Sequence, residues 1–278
     1  MERVLAKAAV TAPVDLVHLM FYVLAGFVVA AACTPVGISG AFLLVPFQVS
    51  VLGLNSVSVS ATGLVFNVIS SPAGIVRYWR DNNVDTRLAR LVLAGSVPAV
   101  VVGAWLRVHV LSDPRTFKVI AGVVLILLSI RVIIGRRELV QDVASPARRA
   151  DAIRRSTVLA LAAAVGLAGG MYGIGGGSLL APLLVASGVA VSDVAGAALV
   201  ATFGSSLAGL LAYIVFNATR STSSPYWSLG VALGLGGLAG SYVGARAQRG
   251  LPEGLLTWMI AALAGLTGAL YLLQTLLS

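Results

Sequence analysis

Charged residues are scarce in this sequence. Only 10% of its 278 residues are Asp, Glu, Lys or Arg, whereas soluble domains have about a quarter. No charged residue occurs from Leu19 to Val76, and further uncharged runs cover 156–192, 194–219, 221–245 and 254–278. A membrane-spanning helix needs roughly 20 mostly apolar residues, so these runs hold spanning helices. The composition excludes an ordinary soluble domain and predicts an all-α polytopic membrane protein.

Residues that carry catalysis or bind metals are also nearly missing. Cys33 is the one cysteine and His18 and His109 are the two histidines, which excludes an intramolecular disulfide and a cysteine-based metal site. The apolar blocks contain no acid apart from Asp193 at a boundary, and HExxH, GxSxG and P-loop motifs are absent. Acid–base and metal-assisted mechanisms need those groups. We therefore expect no catalytic residue, no metal site and no cofactor, and the chain is not predicted to be an enzyme.

Basic residues are the charges that the sequence does have, with 19 Lys and Arg against 10 Asp and Glu. They are concentrated in short connections between apolar runs, above all at 135–155 and 77–90. Cytoplasmic loops of membrane proteins carry this excess, and anionic headgroups attract it. The pattern predicts a lipid bilayer and no nucleic acid as partner, a multi-pass protein of the cell inner (plasma) membrane, and a cytoplasmic 135–155 connector.

The apolar blocks fall into two similar sets of four or five helical segments. They lie at about 16–34, 40–54, 57–76, 88–106 and 116–134, and then at 156–172, 177–191, 194–216, 226–247 and 254–277. We predict one membrane domain with a first repeat at 1–134, a basic connector at 135–155 and a second repeat at 156–278. An internal repeat of this size is typical of transporter folds.

A shared motif supports the duplication. The ten residues from Gly37 to Pro46 (GISGAFLLVP) align with those from Gly173 to Pro182 (GIGGGSLLAP). With one gap, Asn67–Gly74 aligns with Thr202–Gly209. Further along, Tyr78 matches Tyr213, and Gly95, Gly103 and Ala104 match Gly236, Gly244 and Ala245.

The second segment of each set is the candidate binding element. At about 15 residues it is too short to cross a bilayer comfortably, and it follows glycines and contains Pro46 or Pro182. Paired short segments interrupted by Gly and Pro are the best sequence indication of a transporter's binding site, because a broken helix presents free N–H donors to an anion. The predicted donors are Ser39, Gly40, Gly175, Gly176, Gly177 and Ser178. The alternative is that these glycines only allow close helix packing.

Polar residues of the third segments form a second set of candidates: Asn67, Ser70, Thr202 and Ser205. Asn67 ranks first, because an amide is costly to bury and suited to hold a ligand oxygen. Serine and threonine in membrane helices often bond to their own backbone instead.

The second-half motif, with Ala201–Ser206 (ATFGSS) and the degenerate first-half copies, resembles the TauE/SafE family of sulfite and organosulfonate exporters. The resemblance covers nearly the whole chain and implies a multi-span fold with a sulfur oxyanion or similar small anion as substrate. The first copy departs from the motif, with Ser39, Ala41 and Phe42 where its partner has Gly175, Gly177 and Ser178. Unequal half-sites are therefore expected.

The leading functional hypothesis is a membrane permease for a small anion, exporting sulfite, a sulfonate or a related sulfur oxyanion. With no acid in mid-membrane, export of an anion along a membrane potential, negative inside, suits the composition. The alternatives are a permease for an unrelated anion such as a carboxylate, and a non-transporting membrane scaffold or subunit. Inverted or parallel repeats, the coupling ion and a homo-oligomeric state are left open.

Overall fold

A computed structural model describes residues 16–50, 52, 54, 57–109, several positions between 119 and 134, 154–187, 189–220 and 224–276. In these ranges the chain is helical, with turns and no strand. Seven helices there are long and apolar enough to cross a membrane, which confirms an all-α, multi-pass membrane protein. The predicted connector at 135–155 lies outside the described residues, except for Arg154 and Arg155.

The described helices are numbered here in chain order. They are α1 Leu16–Cys33, α2 Ala41–Ser50, α3 Val57–Arg80, α4 Thr86–His109, α5 Arg155–Tyr172, α6 Leu180–Ala186, α7 Val191–Arg220, α8 Trp227–Gln248 and α9 Glu253–Leu276. A 3₁₀ turn at Thr34–Val36 follows α1, and Leu125–Ile134 is a further short apolar helical stretch. Because α2 has ten residues and α6 has seven, each is too short to cross a bilayer by itself.

Glycine contacts fix the relative directions of the helices. Helix α1 packs parallel to α8, since Gly236 lies against Val23 and Gly244 against Ala31. Helix α5 packs parallel to α4 in the same way. There, a Cβ added to Gly103 would lie 2.1 Å from the carbonyl oxygen of Leu167. Small residues allow helix backbones to approach this closely in a membrane, where lipid provides no hydrophobic force between helices.

The described arginines, apart from Arg107 and Arg220, lie at one end of the bundle, which we call the basic face: Arg77, Arg80, Arg87, Arg90, Arg154, Arg155, Arg246 and Arg249. Helices α1, α3 and α8 run towards this face, while α4, α5, α7 and α9 start there. The other end, where α4 ends and α8 begins, is called the opposite face. The two predicted cytoplasmic regions thus converge, since Arg154 and the 77–90 turn share the basic face.

Hydrogen bonds and ion pairs hold the basic face together. Asp81 pairs with Arg77 at 3.1 Å and with Arg249 at 3.0 Å. Asn83 Nδ2 donates to Gln248 Oε1 at 2.8 Å, and Gln248 Nε2 donates to the carbonyl oxygen of Pro35 at 2.6 Å. These contacts join the end of α8 to the α3–α4 turn and to the 3₁₀ turn after α1.

One tyrosine hydrogen bond occurs in both halves, at positions that correspond in the alignment. Tyr78 Oη donates to the carbonyl oxygen of Thr34 at 2.7 Å, and Tyr213 Oη donates to that of Gly170 at 2.9 Å. Tyr213 is the aligned counterpart of Tyr78. The duplication itself remains a prediction, and these paired contacts are observations that it would explain.

Candidate functional site

Each half of the chain breaks at glycines in the left-handed region of backbone space. Gly37 has a φ of 70°, Gly173 has 72° and Gly175 has 74°, values that residues with a Cβ rarely adopt. The first break follows the 3₁₀ turn, and the second begins where α5 ends, with the N–H of Gly173 donating to Gly169 O at 2.9 Å. From each break the chain turns back through the interior before α2 or α6 starts.

The first break places Ser39 beside Asn67 of α3. Ser39 Oγ donates to Asn67 Oδ1, and the backbone N–H of Ala41 donates to Ser39 Oγ at 3.2 Å. On its other side, Asn67 Nδ2 donates to Ser206 Oγ of α7 at 3.1 Å. Asn67 therefore joins the first break to a helix of the second half, and its side chain is fully buried.

The second break lies against α7. Gly176 N–H donates to Ser205 Oγ at 2.8 Å. A Cβ added to Gly177 would lie 2.5 Å from Thr202 Oγ1, and one added to Gly175 would lie 3.3 Å from Asn67 Nδ2. The glycines thus leave room for α7 hydroxyls and the Asn67 amide to approach the backbone closely.

Ser96 of α4 completes the group and was missed by the sequence analysis. A Cβ added to Gly176 would lie 2.5 Å from Ser96 Cβ and 3.1 Å from Ser96 Oγ. Ser96 follows Gly95, which had been aligned between the halves, and it is a polar residue inside the apolar block 88–106. A polar residue inside an apolar block could have indicated Ser96 as a candidate. The sequence does not show which face of α4 it occupies, because helix packing decides that.

Two of these hydroxyls lack a hydrogen-bond partner within the described part of the chain: Ser96 Oγ and Thr202 Oγ1. Both side chains are fully buried. An unsatisfied buried hydroxyl costs about 1–3 kcal/mol, and most threonines in spanning helices avoid this by bonding to their own backbone. Ser96 lies against Gly176 and Thr202 lies against Gly177, so both unsatisfied hydroxyls adjoin the second break.

The predicted site residues do not all come together. Ser39, Asn67, Gly175, Gly176, Gly177, Thr202 and Ser205 form the group just described, which we call the central cluster together with Ser96 and Ser206. Gly40 borders it, against the ring of Phe66. Ser178 Oγ instead donates to Ile174 O at 2.6 Å. Ser70 lies towards α8, where Ser241 Oγ donates to its carbonyl oxygen at 2.5 Å.

The chemistry of the central cluster is that of neutral donors. It contains hydroxyls, an amide and glycine backbone, and all of these side chains are buried. Within the described ranges, no three His, Cys, Asp or Glu residues come close enough to hold a metal. Hydroxyl and amide groups of this kind can donate hydrogen bonds to the oxygens of a small anion without supplying a fixed charge.

A second polar feature lies on the side of the opposite face. The side chain of Arg107, near the end of α4, is only 5% exposed, and its Cζ lies 5.7 Å from the ring centroid of Tyr172. Arg107 lies one residue beyond the predicted fourth block, 88–106, and was therefore not among the predicted site residues. Arg77, at the basic face, is paired with Asp81.

Comparison with known proteins agrees with this architecture. The family model described as "Sulfite exporter TauE/SafE" matches residues 22–271. The "Probable membrane transporter protein YjnA" of Bacillus subtilis (strain 168) is 26% identical over 261 residues, covering 88% of this chain and 96% of that protein. The "Probable membrane transporter protein YunE" of the same organism is 25% identical over 187 residues, covering 59% and 66%. No solved structure gives a significant match.

Proposed function

Because this chain belongs to the sulfite exporter TauE/SafE family, and is a multi-pass membrane transporter by that relationship, we propose that it exports sulfite, a sulfonate or a related sulfur oxyanion. The proposed binding site is the central cluster. The observation that carries the proposal is the pair of buried, unpartnered hydroxyls, Ser96 Oγ and Thr202 Oγ1, beside the glycine break.

The donors of the central cluster suit a sulfur oxyanion. Sulfite and sulfonate oxygens accept hydrogen bonds, and the hydroxyls of Ser96 and Thr202, which lie against Gly176 and Gly177, are donors without a partner in the described part of the chain. Binding there satisfies hydroxyls that otherwise lack partners. A neutral site also holds the anion weakly enough to release it, which transport requires.

If the two halves form an inverted repeat, the central cluster lies where the two repeats meet. Helix α1 runs towards the basic face and α5 runs away from it, and the Tyr78 and Tyr213 hydrogen bonds correspond. Transporters built from inverted repeats bind substrate at broken helices where the repeats meet, and they rock one part against the other. The burial of Asn67, Thr202 and Ser205 is what an occluded stage of such a cycle requires.

We infer the direction of transport from the arginines at the basic face and from the membrane potential. The excess of arginines at the basic face favours a cytoplasmic location for it in the inner (plasma) membrane. An anion that leaves a cell with a negative interior gains about 2.3 kcal/mol per charge per 100 mV. The described helices carry no acid in the central cluster to bind a coupling proton. We propose potential-driven export on this basis.

Flux in proteoliposomes tests the proposal. Radiolabelled sulfite, thiosulfate and a C2 sulfonate are supplied under an imposed potential to the wild type, Gly176→Leu and Asn67→Ala. We expect potential-dependent flux of at least one oxyanion in the wild type. A loss of at least tenfold is expected in both variants, because leucine would clash with Ser96 and displace it from the second break and alanine removes the amide that joins the halves.

Gly250→Leu is the matched control, because Gly250 is exposed at the basic face with only one atom within 4 Å of an added Cβ. It should transport like the wild type. Absence of flux for every sulfur oxyanion would overturn the substrate class. Flux that Gly176→Leu retains would move the site away from the central cluster. Flux of a small carboxylate alone would favour a carboxylate permease.

A further inference from the structure

Arg107 is a permanent positive charge buried inside the bundle on the side of the opposite face. It lies two residues before the end of α4, and its side chain is 5% exposed. An arginine within a membrane-spanning segment is costly and is more often functional than incidental. The basic face, with its many exposed arginines, is at the other end of the same helix.

A tyrosine ring lies against this guanidinium, and further tyrosines lie near that ring. Its Cζ lies 5.7 Å from the ring centroid of Tyr172, within the range of a cation–π contact. Tyr213 lies close by, and its hydroxyl donates to Gly170 O at 2.9 Å. The hydroxyl of Tyr271, a residue 2% exposed, has no hydrogen-bond partner among the described residues, and Tyr271 lies within electrostatic range of Tyr172.

The tyrosines connect Arg107 to the central cluster. Tyr172 ends α5, and Gly175 follows it by three residues, a separation of at most about 10 Å along an extended chain. Tyr172 therefore lies on the opposite-face side of the second break, where an anion that left the central cluster towards that face would pass close to it. The basic charge beyond it attracts the anion at short range, where protein and lipid screen less than water does.

The corresponding position of the other half is different. By the alignment of Gly103 and Ala104 with Gly244 and Ala245, the counterpart of Arg107 is Gln248. Gln248 is neutral, and its amide is occupied by the carbonyl oxygen of Pro35 and by Asn83. The end of α4 at the opposite face therefore carries a cation, Arg107. The corresponding end of α8 at the basic face carries a neutral residue, so the two ends of the bundle differ in buried charge.

We propose that Arg107 and the Tyr271 hydroxyl form a second anion-binding site, which receives the transported sulfur oxyanion between the central cluster and the opposite face. This inference rests on the proposed function for the identity of the anion. The two sites would hold the anion in succession.

Flux of radiolabelled ethanesulfonate in proteoliposomes tests the charge. Arg107→Gln should lower flux at least tenfold, whereas Arg107→Lys should retain at least a third. Arg90→Gln is the matched control, because it removes an exposed arginine from the other end of α4 and should change flux less than twofold. Gel filtration checks that each variant is folded. Wild-type flux in a folded Arg107→Gln variant would overturn the proposal.

Restoring a positive charge chemically at position 107 distinguishes a role of Arg107 in anion binding from a role in helix packing. In a Cys33→Ala background, Arg107→Cys is treated with a trimethylammonium-bearing or a sulfonate-bearing methanethiosulfonate reagent. We expect the cationic reagent to raise flux severalfold and the anionic one to leave it low. Equal effects of the two reagents, or none from either, would contradict an anion site.

A binding measurement keeps this test independent of transport. In the same Cys33→Ala background, Tyr271→Cys is modified in the presence and absence of ethanesulfonate. Modification should slow at least threefold with the anion, and the protection should disappear when Arg107→Gln is added. A thiol that never reacts, or that the anion does not protect, counts against the second site. If protection occurs but the wild type moves no oxyanion, the proposed function fails and the binding site stands.

Discussion

Thr202 and Thr267 are both fully buried threonines in spanning helices, yet their hydroxyls are in opposite situations. Thr267 Oγ1 donates to Leu263 O, one turn earlier, at 2.8 Å, and Thr62 and Thr257 bond to their own helices in the same way. Thr202 Oγ1 has no such partner in the described ranges. This contrast separates a structural threonine from a candidate binding residue.

Replacing each threonine by valine tests that distinction at the residue scale. Thr202→Val should lower oxyanion flux at least tenfold, because a donor of the site is lost. Its thermal stability in detergent should be unchanged or slightly higher, since removing an unsatisfied buried hydroxyl has little or no cost. Thr267→Val should keep wild-type flux and lose about 0.5–1.5 kcal/mol of stability at most. Equal flux in the two variants would remove Thr202 from the site.

At the scale of elements, the glycine breaks contribute more to the candidate binding site than the short helices α2 and α6 do. The sequence predicted a second-half segment at 177–191, but α6 covers only Leu180–Ala186. This predicted span was too long, because Gly177, Ser178 and Leu179 form turns and the helix ends at Ala186. The dipole of so short a helix is small, so hydroxyls and the break's N–H groups are better supported as donors than the helix end.

Gly173 provides a test of the break itself. Its φ is 72°, and an added Cβ would lie 1.8 Å from the carbonyl oxygen of Ser60, so Gly173→Ala requires α3 to shift. The left-handed conformation alone costs an L-residue about 1–2 kcal/mol, and we expect the clash to raise this further. The measurement is the fraction of monodisperse protein and its melting temperature.

Gly250→Ala again serves as the control, because its φ is not positive and the nearest atom to an added Cβ is 3.6 Å away. Its melting temperature should stay within a few degrees of the wild type. A Gly173→Ala protein as stable as this control would show that the α5–α3 contact adapts easily.

At the scale of the whole molecule, arginines from distant parts of the sequence converge on one end. Arg77, Arg90, Arg154 and Arg249 come from four different helices or their ends and share the basic face. Asp81 holds two arginines there. This convergence gives the protein an electrostatic polarity along the membrane normal.

Side-specific thiol labelling tests the orientation. In a Cys33→Ala background, Gly250→Cys lies at the basic face and Ser224→Cys lies before α8 at the opposite face, and both positions are exposed. In intact cells, a membrane-impermeant maleimide should label Ser224→Cys and leave Gly250→Cys unlabelled until the cells are opened, because the basic face should be cytoplasmic. The reverse pattern would contradict both the orientation and the argument for export.

The amino-acid sequence by itself determined that the chain spans a membrane and where most helices lie. Long uncharged runs leave few alternatives in a bilayer, because only helices satisfy their own backbone groups there. It also predicted a glycine-rich interruption in each half, where Gly37 and Gly173 have positive φ, and it proposed Asn67 and Thr202 as candidate site residues. These are local properties, which a short window of residues specifies.

Only the tertiary structure decided which polar residues meet. Ser96 and Arg107 belong to the same helix, but Ser96 faces the glycine break and Arg107 faces the ring of Tyr172. Ser70 and Ser205 are aligned, yet one lies towards α8 and the other accepts the N–H of Gly176. Helix rotation is set by the packing of small residues against distant helices. Residues remote in sequence therefore decide the composition of the site, and no local pattern encodes it.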